Sequence, residues 1–408
     1  MTTNKLTTER SLRDSRPLWL DSPRITVRSK CHIEMARYDT VIVGAGISGA
    51  LVAQALVKPG QSVLIVDKRR PVGGSSIAST AMIQHEIDVP LHQLQKLIGE
   101  EQANRAWQRS AKAVLKLEDI VRSLEISCSM KRKKALYLAG DQLGSRGLST
   151  EIEARKNAGI EARFIDKTEL KKLYGIERTG AILSDISASA NPGQLTAGLL
   201  RYAAKQGAEI VSGVEITDMK SLGQEVVLAT GEGKLICAEN VVFCTGYEFL
   251  KNVANKKHEI ISTWAMASKA GIPLPDWLSN HILWEASDPY LYLRTDSQGR
   301  LIVGGEDEEN AFAYQSEDKL HAKTKTIREK VSSLLGCEIG AVEYRWAAAF
   351  GTTTTGLPLI GPVPEMQNVY CVMGFGGNGI TFSQIAAEIV SAAINGVKDP
   401  DAELFKLN

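Results

Sequence analysis

Residues 37–56, RYDTVIVGAGISGALVAQAL, restrict what this chain can fold into more than any other stretch. Residues 38–43 read as a buried strand, with Val41, Ile42 and Val43 β-branched in succession. Residues 47–56, rich in Ala and Leu, read as the helix that follows. Between them lies Gly44-Ala45-Gly46-Ile47-Ser48-Gly49, a G-x-G-x-x-G turn in the strand–turn–helix setting that gives this motif its meaning. Gly44 serves the tight turn, Gly46 lets a pyrophosphate approach the backbone, and Gly49 lets helix and strand pack closely. The helix start at Ile47 and Ser48 offers free N–H groups and a positive dipole end to phosphate. Pro59-Gly60 breaks the helix, and QSVLIVD forms a second strand ending at Asp67, 18 residues after Gly49, where an acid can accept hydrogen bonds from an adenosine ribose. The alternative is a tight turn that holds no ligand. The register of strand, helix, second strand and acid favours a dinucleotide site.

A chain of 408 residues exceeds the usual size of a single core, so two domains are expected. A formal charge of +1 argues against a nucleic-acid partner, which would call for a basic face. The six cysteines form no C-x-x-C pair, so neither a zinc site nor a redox dithiol is indicated, and free thiols in a reducing compartment are expected. No apolar run approaches the roughly 20 residues that span a bilayer. Residues 1–36 are polar and mixed in charge, without an apolar signal core, and read as an N-terminal arm whose PLWLDSPRITV portion lies on the body of the protein. A cytoplasmic location is the expectation.

Further along, AENVVFCTGYE is another apolar strand, ending at Thr245-Gly246. NVYCVMGF, the turn GGNGI and a helix from Thr381 to about Asn395 close the pattern. With VGGSSIAS, ANPGQLTAGLLRYAAKQGAEI and GLPLIGPV, these features resemble the D-amino-acid oxidase-like (DAO) FAD-dependent oxidoreductases, relatives of glycine oxidase and sarcosine oxidase, over most of the chain from Tyr38 to Val397. The resemblance implies an α/β fold: a Rossmann-like FAD-binding domain of the GR2 type, with a second α+β substrate domain built on an antiparallel sheet. It divides the chain into a discontinuous FAD domain (37–133, 191–260, 351–408) and a substrate domain (134–190, 261–350). The cofactor implied is FAD. Its contacts would come from Gly44, Gly46, Ile47, Ser48, Gly49, Asp67 and Lys68, then Gly74, Ser75, Ser76, Val214, Thr245 and Gly246, and at the C-terminal turn Gly376, Gly377, Asn378, Gly379, Ile380 and Thr381. Sarcosine oxidase-like members can tether FAD through a cysteine in the segment equivalent to RWAAAFGTTTT. No cysteine lies between Cys337 and Cys371 here, so noncovalent FAD is expected.

The family's shared reaction takes a hydride from a carbon bearing an amine or hydroxyl, and the flavin carries that chemistry. This chain departs from its relatives where they grip a carboxylate. Phe350 and Gly377 stand where glycine oxidase-like proteins have arginines, and Thr381 where sarcosine oxidase-like proteins have a lysine. Small amino acids are therefore expected to be poor substrates, with Arg294 or Arg345 as relocated anchors if they are not. The pocket would draw on Gln84, Arg294, Trp346 and Phe350, with Trp264 and Trp284 either lining it or forming sheet core. His85, in Gln84-His85-Glu86, is the candidate general base, since neutral imidazole can take a proton near pH 7. Its alternative is a hydrogen bond to backbone at a domain junction. Glu306-Asp307-Glu308-Glu309 reads as a solvated turn rather than a metal site. The leading reading is oxidation of an amine or amino-acid-type small molecule, with oxygen, a quinone or another protein as electron acceptor. A 2-hydroxyacid or polyol-phosphate dehydrogenase, or a non-catalytic flavoprotein subunit of a redox complex, stays open.

Overall fold

The computed structural model describes residues 6–253 and 258–407. Two sheets carry it. In the first, the strands Arg37–Val43 and Val63–Asp67 pair in parallel. Leu235–Phe243 flanks the former and Glu209–Ser212 the latter, both also in parallel. Val369–Met373 extends the sheet in parallel, and Leu359–Pro362 closes it antiparallel. Val41, Ile42, Leu64 and Ile65 are fully buried, because helices cover one face and the strands Ile216–Ser221 and Val226–Thr230 help to cover the other. The helix after the glycine turn, Ile47–Leu56, packs against Pro192–Lys205 and Gly379–Ile394. Pro192 starts its helix where its missing N–H costs nothing, and the Asn191 side chain accepts from Gln194 N.

The second sheet has ten strands and is antiparallel apart from one pairing, His281–Glu285 with Lys131–Leu138. At its centre, His258–Ser268 lies between Val342–Thr353 and Leu301–Glu308. Leu291–Thr295 turns into Leu301–Glu308 through the expected hairpin, with Gly299 in the left-handed region (φ +72°). The helix Glu317–Leu335, capped by Ser316, covers the outer face. This sheet also takes strands from outside the two insertions assigned to it on sequence. Arg13–Ser15 of the arm adds to its edge at residues 346–348, and Met82–Gln84 pairs with residues 187–189. The arm is thus part of the body: Trp19 is buried and its Nε1–H donates to Ser79 O at 2.7 Å. Among the described residues, no helix is long and apolar enough to cross a membrane.

Candidate active site

The glycine turn shows why its residues are small. Gly44 has φ +117°, and a Cβ there would sit 2.3 Å from Cys244 O; one on Gly49 would sit 1.9 Å from Gly44 O. The turn is therefore pressed between its own helix and the end of Leu235–Phe243. Its helix starts at Gly46 without a side-chain cap, and Gly379–Ile394 starts at Asn378 without one. A single cleft reaches both helix starts, running from Asp67 and Val214 to Gly376 and Gly379. Uncapped N-termini present N–H groups and positive dipole ends, so this cleft suits an anionic dinucleotide at both places.

At the Asp67 end the charges are already balanced. Asp67 Oδ2 accepts from Ala45 N at 2.7 Å and Oδ1 from Arg69 N at 2.8 Å. Burial pushes its carboxyl above the usual range, although those two amides oppose the shift. Glu248 takes Arg69 in a bidentate pair (2.6 and 3.0 Å) and Lys68 at 2.9 Å. The arm crosses here, with Arg10 N donating to Glu248 and Arg69 Nη2 to Arg10 O. Thr7 and Leu12 consequently line the cleft.

The opposite end is walled by aromatic side chains: Tyr247, Trp284, Tyr290, Tyr292, Phe350 and Phe375. Tyr292 leans over Gly304, where a Cβ would meet its ring at 2.4 Å, so the glycine pair in LIVGGEDE makes room for it. Trp284 stacks on Tyr137 (centroids 3.9 Å apart) and donates Nε1–H to Glu86 Oε2 at 2.9 Å. Behind it, Glu86 Oε1 accepts from Arg155 at 2.5 Å, and Arg155 Nε donates to Glu151 at 2.7 Å, all three fully buried. Burial raises the Glu151 carboxyl, but Arg155 and His92 outweigh it and hold the group below the usual carboxylate range. Asp88 faces the cleft, where its side chain is exposed, and accepts from Gly377 N at 2.8 Å; the surrounding walls shift its carboxyl upward.

A family model described as FAD dependent oxidoreductase (DAO) matches residues 39–393. The chain belongs to that family. Glycine oxidase of Bacillus licheniformis is 24% identical over 384 residues, covering 91% of this chain and 97% of that one. Sarcosine oxidase subunit beta of Rhodobacter capsulatus is 22% identical, covering 84% and 81%. The crystal structure of glycine oxidase from Geobacillus kaustophilus superposes with a TM-score of 0.76 at 21% identity, over 92% of this chain and 99% of that one. As a member of the DAO family, the protein is an FAD-dependent oxidoreductase, and the two-ended cleft is where its residues fit the cofactor.

Most of the cofactor residues expected from sequence line that cleft: Gly44, Gly46, Ile47, Ser48, Asp67, Lys68, Gly74, Ser75, Ser76, Val214, Thr245, Gly246, Gly376, Gly377, Gly379 and Ile380. Gly49, Asn378 and Thr381 do not. Gly49 packs against the turn, Asn378 Nδ2 donates to Glu86 O, and Thr381 Oγ1 donates to Gln84 O, so the last two brace the wall from behind. Of the pocket candidates, Gln84 and Phe350 line the cleft. Trp346 does not: its Nε1–H donates to Ala78 O in the core. Trp264 likewise turns outward, under Lys323. Arg294 is fully committed elsewhere, with Nε on Thr80 O, Nη2 on Ala190 O and its plane over Trp19; burial brings its pKa down to about 10. Arg345 contacts His321 rather than the cleft.

His85 requires a correction. It is absent from the cleft wall, with Nδ1 2.9 Å from Ile186 O and its ring edge-on to Trp107. Burial depresses its pKa, partly offset by Glu86, and Nε2 is buried without a partner. A base there has no route to a molecule in the cleft. The Glu306–Glu308 stretch is not a solvated turn either. Glu306 and Glu308 pair with lysines of Glu317–Leu335, while Asp307 points to the opposite face, toward Thr263 and Tyr290. The alternation of a strand hidden inside an acidic run was the signal that could have found it.

Proposed function

We propose that this oxidoreductase removes a hydride from the carbon of a C–N bond, in an amine or amino-acid-type substrate, and passes it to FAD held noncovalently. The supporting observation is that the cleft joins the phosphate cradle to an aromatic pocket at the second uncapped helix. An FAD held there would supply the electron sink, with the residues of the cleft wall as its contacts and the aromatic residues of the pocket available to the substrate. Cys244 is the one cysteine on the cleft wall, and burial pushes its thiol up, away from reactive thiolate. Small-molecule oxidation in the cytoplasm, with oxygen, a quinone or a protein as acceptor, completes the reading. A polyol-phosphate or 2-hydroxyacid substrate is less well served, because no lysine or arginine among the described residues lines the aromatic end. Anaerobic mixing of the yellow protein with amines, amino acids and hydroxyacids tests this. Bleaching by C–N compounds is expected, and bleaching by hydroxyacids alone would replace the proposal. No bleaching by any class would favour a non-catalytic subunit.

A further inference from the structure

The cleft distributes its charge unevenly. Its lysine and arginine, Lys68 and Arg69, lie at the Asp67 end and are paired with Glu248, Lys68 also with Glu215. At the aromatic end the charged groups are carboxyls. Asp88 lines the wall, and Asp307 stands directly behind Thr263, Tyr290 and Tyr292, which line it. Asp307 Oδ1 and Thr263 Oγ1 are both buried without a well-formed hydrogen bond, although the hydroxyls of Thr263 and Tyr290 lie close enough to Asp307, and that of Tyr292 to Thr263, to interact weakly. The Tyr290 and Tyr292 rings lie beside them, centroids 5.5 Å apart. Among the described residues, the cation that acts on Asp307 is Lys323, which is on the far side of the sheet and occupied by Glu306 and Glu308.

Buried polar atoms are rarely left unpaired, and a carboxyl facing aromatic rings without a cation is costly until one arrives. Ring faces attract cations in their own right. We infer that the aromatic end of the cleft is a cation site, held by Asp307, Thr263, Tyr290 and Tyr292, and that the substrate is an amine without a carboxylate on the reacting carbon. A carboxylate there would meet Asp88 and Asp307 with no donor of opposite charge. This rests on the C–N reading above and narrows it. Tyr292 and Asp307 lie on two adjacent strands, and Tyr290 directly precedes the first; their close packing depends on Gly304 and Gly305, so these three residues are placed by the hairpin.

The test uses FAD-loaded protein and the flavin absorbance spectrum. Benzyltrimethylammonium, which cannot be oxidised at this site, is titrated in parallel with benzoate. The ammonium should perturb the spectrum saturably and benzoate should not. Asp307→Asn should weaken the ammonium roughly tenfold or more while FAD content is unchanged. Tyr292→Phe, which keeps the ring, should retain most of the binding. No perturbation by the ammonium, equal or tighter binding of benzoate, or unaltered affinity in Asp307→Asn would each overturn the inference. Failure of the C–N reading looks different. There the ammonium binds as expected, yet neither N-methylbenzylamine nor sarcosine bleaches the flavin under anaerobic conditions. Bleaching by sarcosine as fast as by N-methylbenzylamine would sink the inference and leave the C–N reading intact.

Discussion

The two ends of the cleft are built by different means. At the Asp67 end, glycines and backbone amides do the shaping, and among the described residues Lys68 and Arg69 on the wall are both paired with Glu248. At the aromatic end, side chains from distant strands do it, and buried oxygens are left open. At the first end the side-chain charges are balanced before anything binds, and the backbone amides of the uncapped helix start are what remain to be met. The second is unbalanced by itself, which is how a site that chooses among ligands differs from one that holds a fixed cofactor.

The largest expected effect breaks the first end alone. A side chain at Gly46 meets Ser76 Oγ at 3.0 Å from its Cβ outward, so Gly46→Val should abolish FAD retention. The ratio of flavin to protein absorbance after gel filtration checks this, with circular dichroism confirming the fold; wild-type FAD content would disprove the role of this turn. Arg155→Met attacks the support of the second end. It leaves Glu86 buried with Trp284 but no cation and Glu151 with His92 alone as its ionic partner, at a cost of about 3–5 kcal/mol in urea unfolding. It should also loosen Trp284 and quench or shift its fluorescence. A loss below about 1 kcal/mol would mean that the network is not what holds the wall.

Asp307 offers a sharper distinction, through pH. Burial pushes its pKa up to about 7, opposed by Thr263 and assisted by Asp88. The folded protein thus binds this proton more tightly than the unfolded chain does. Stability should therefore fall as pH rises from about 4 to about 7 and change no further above that. Asp307→Asn removes this slope and gains at most about 4 kcal/mol over wild type at pH 8. Asp88 titrates in the same direction, Tyr290 and Tyr292 stay protonated throughout, and Lys323 moderates the effect. Melting temperatures of both proteins between pH 4 and 8 decide it; parallel curves would show that Asp307 is not strained. The smallest effect belongs to His85. His85→Ala should cost about 1–3 kcal/mol in stability and leave flavin reduction within a few-fold of wild type. A thousandfold slower reduction would restore it as the base.

What could be read from sequence follows the same division. The cradle is local: strand, turn, helix and acid fall within residues 37–67, so spacing alone locates it. GGNGI and CTGYE are likewise legible, because a tight turn demands its glycines wherever the rest of the chain goes. The aromatic end assembles from residues 82–88, 247, 263, 284–292, 307 and 350, whose register is fixed only when the antiparallel strands pair. Sequence therefore left His85 between a pocket base and a backbone hydrogen bond, of which the geometry shows the latter, and read Asp307 as part of a solvated turn. One residue of alternation separates Gln84, which lines the cleft, from His85, which turns into the core. Arg294 was a fair candidate by composition, but a buried guanidinium takes whatever carbonyls surround it, and those lie far away in sequence.

The arm carries a consequence for the order of assembly during synthesis. Thr8 N donates to Phe249 O, Arg10 Nη1 to Ala311 O, and Arg13–Ser15 pairs with residues 346–348. Residues of the arm thus wait for partners made about 240 to 335 residues later. At ordinary elongation rates that is on the order of tens of seconds. Until then the edge of the second sheet is open and the cleft lacks the strap formed by Arg10, Glu248 and Arg69. The strand that receives the arm, Val342–Thr353, emerges before Val369–Met373 completes the parallel sheet, so the arm can close first.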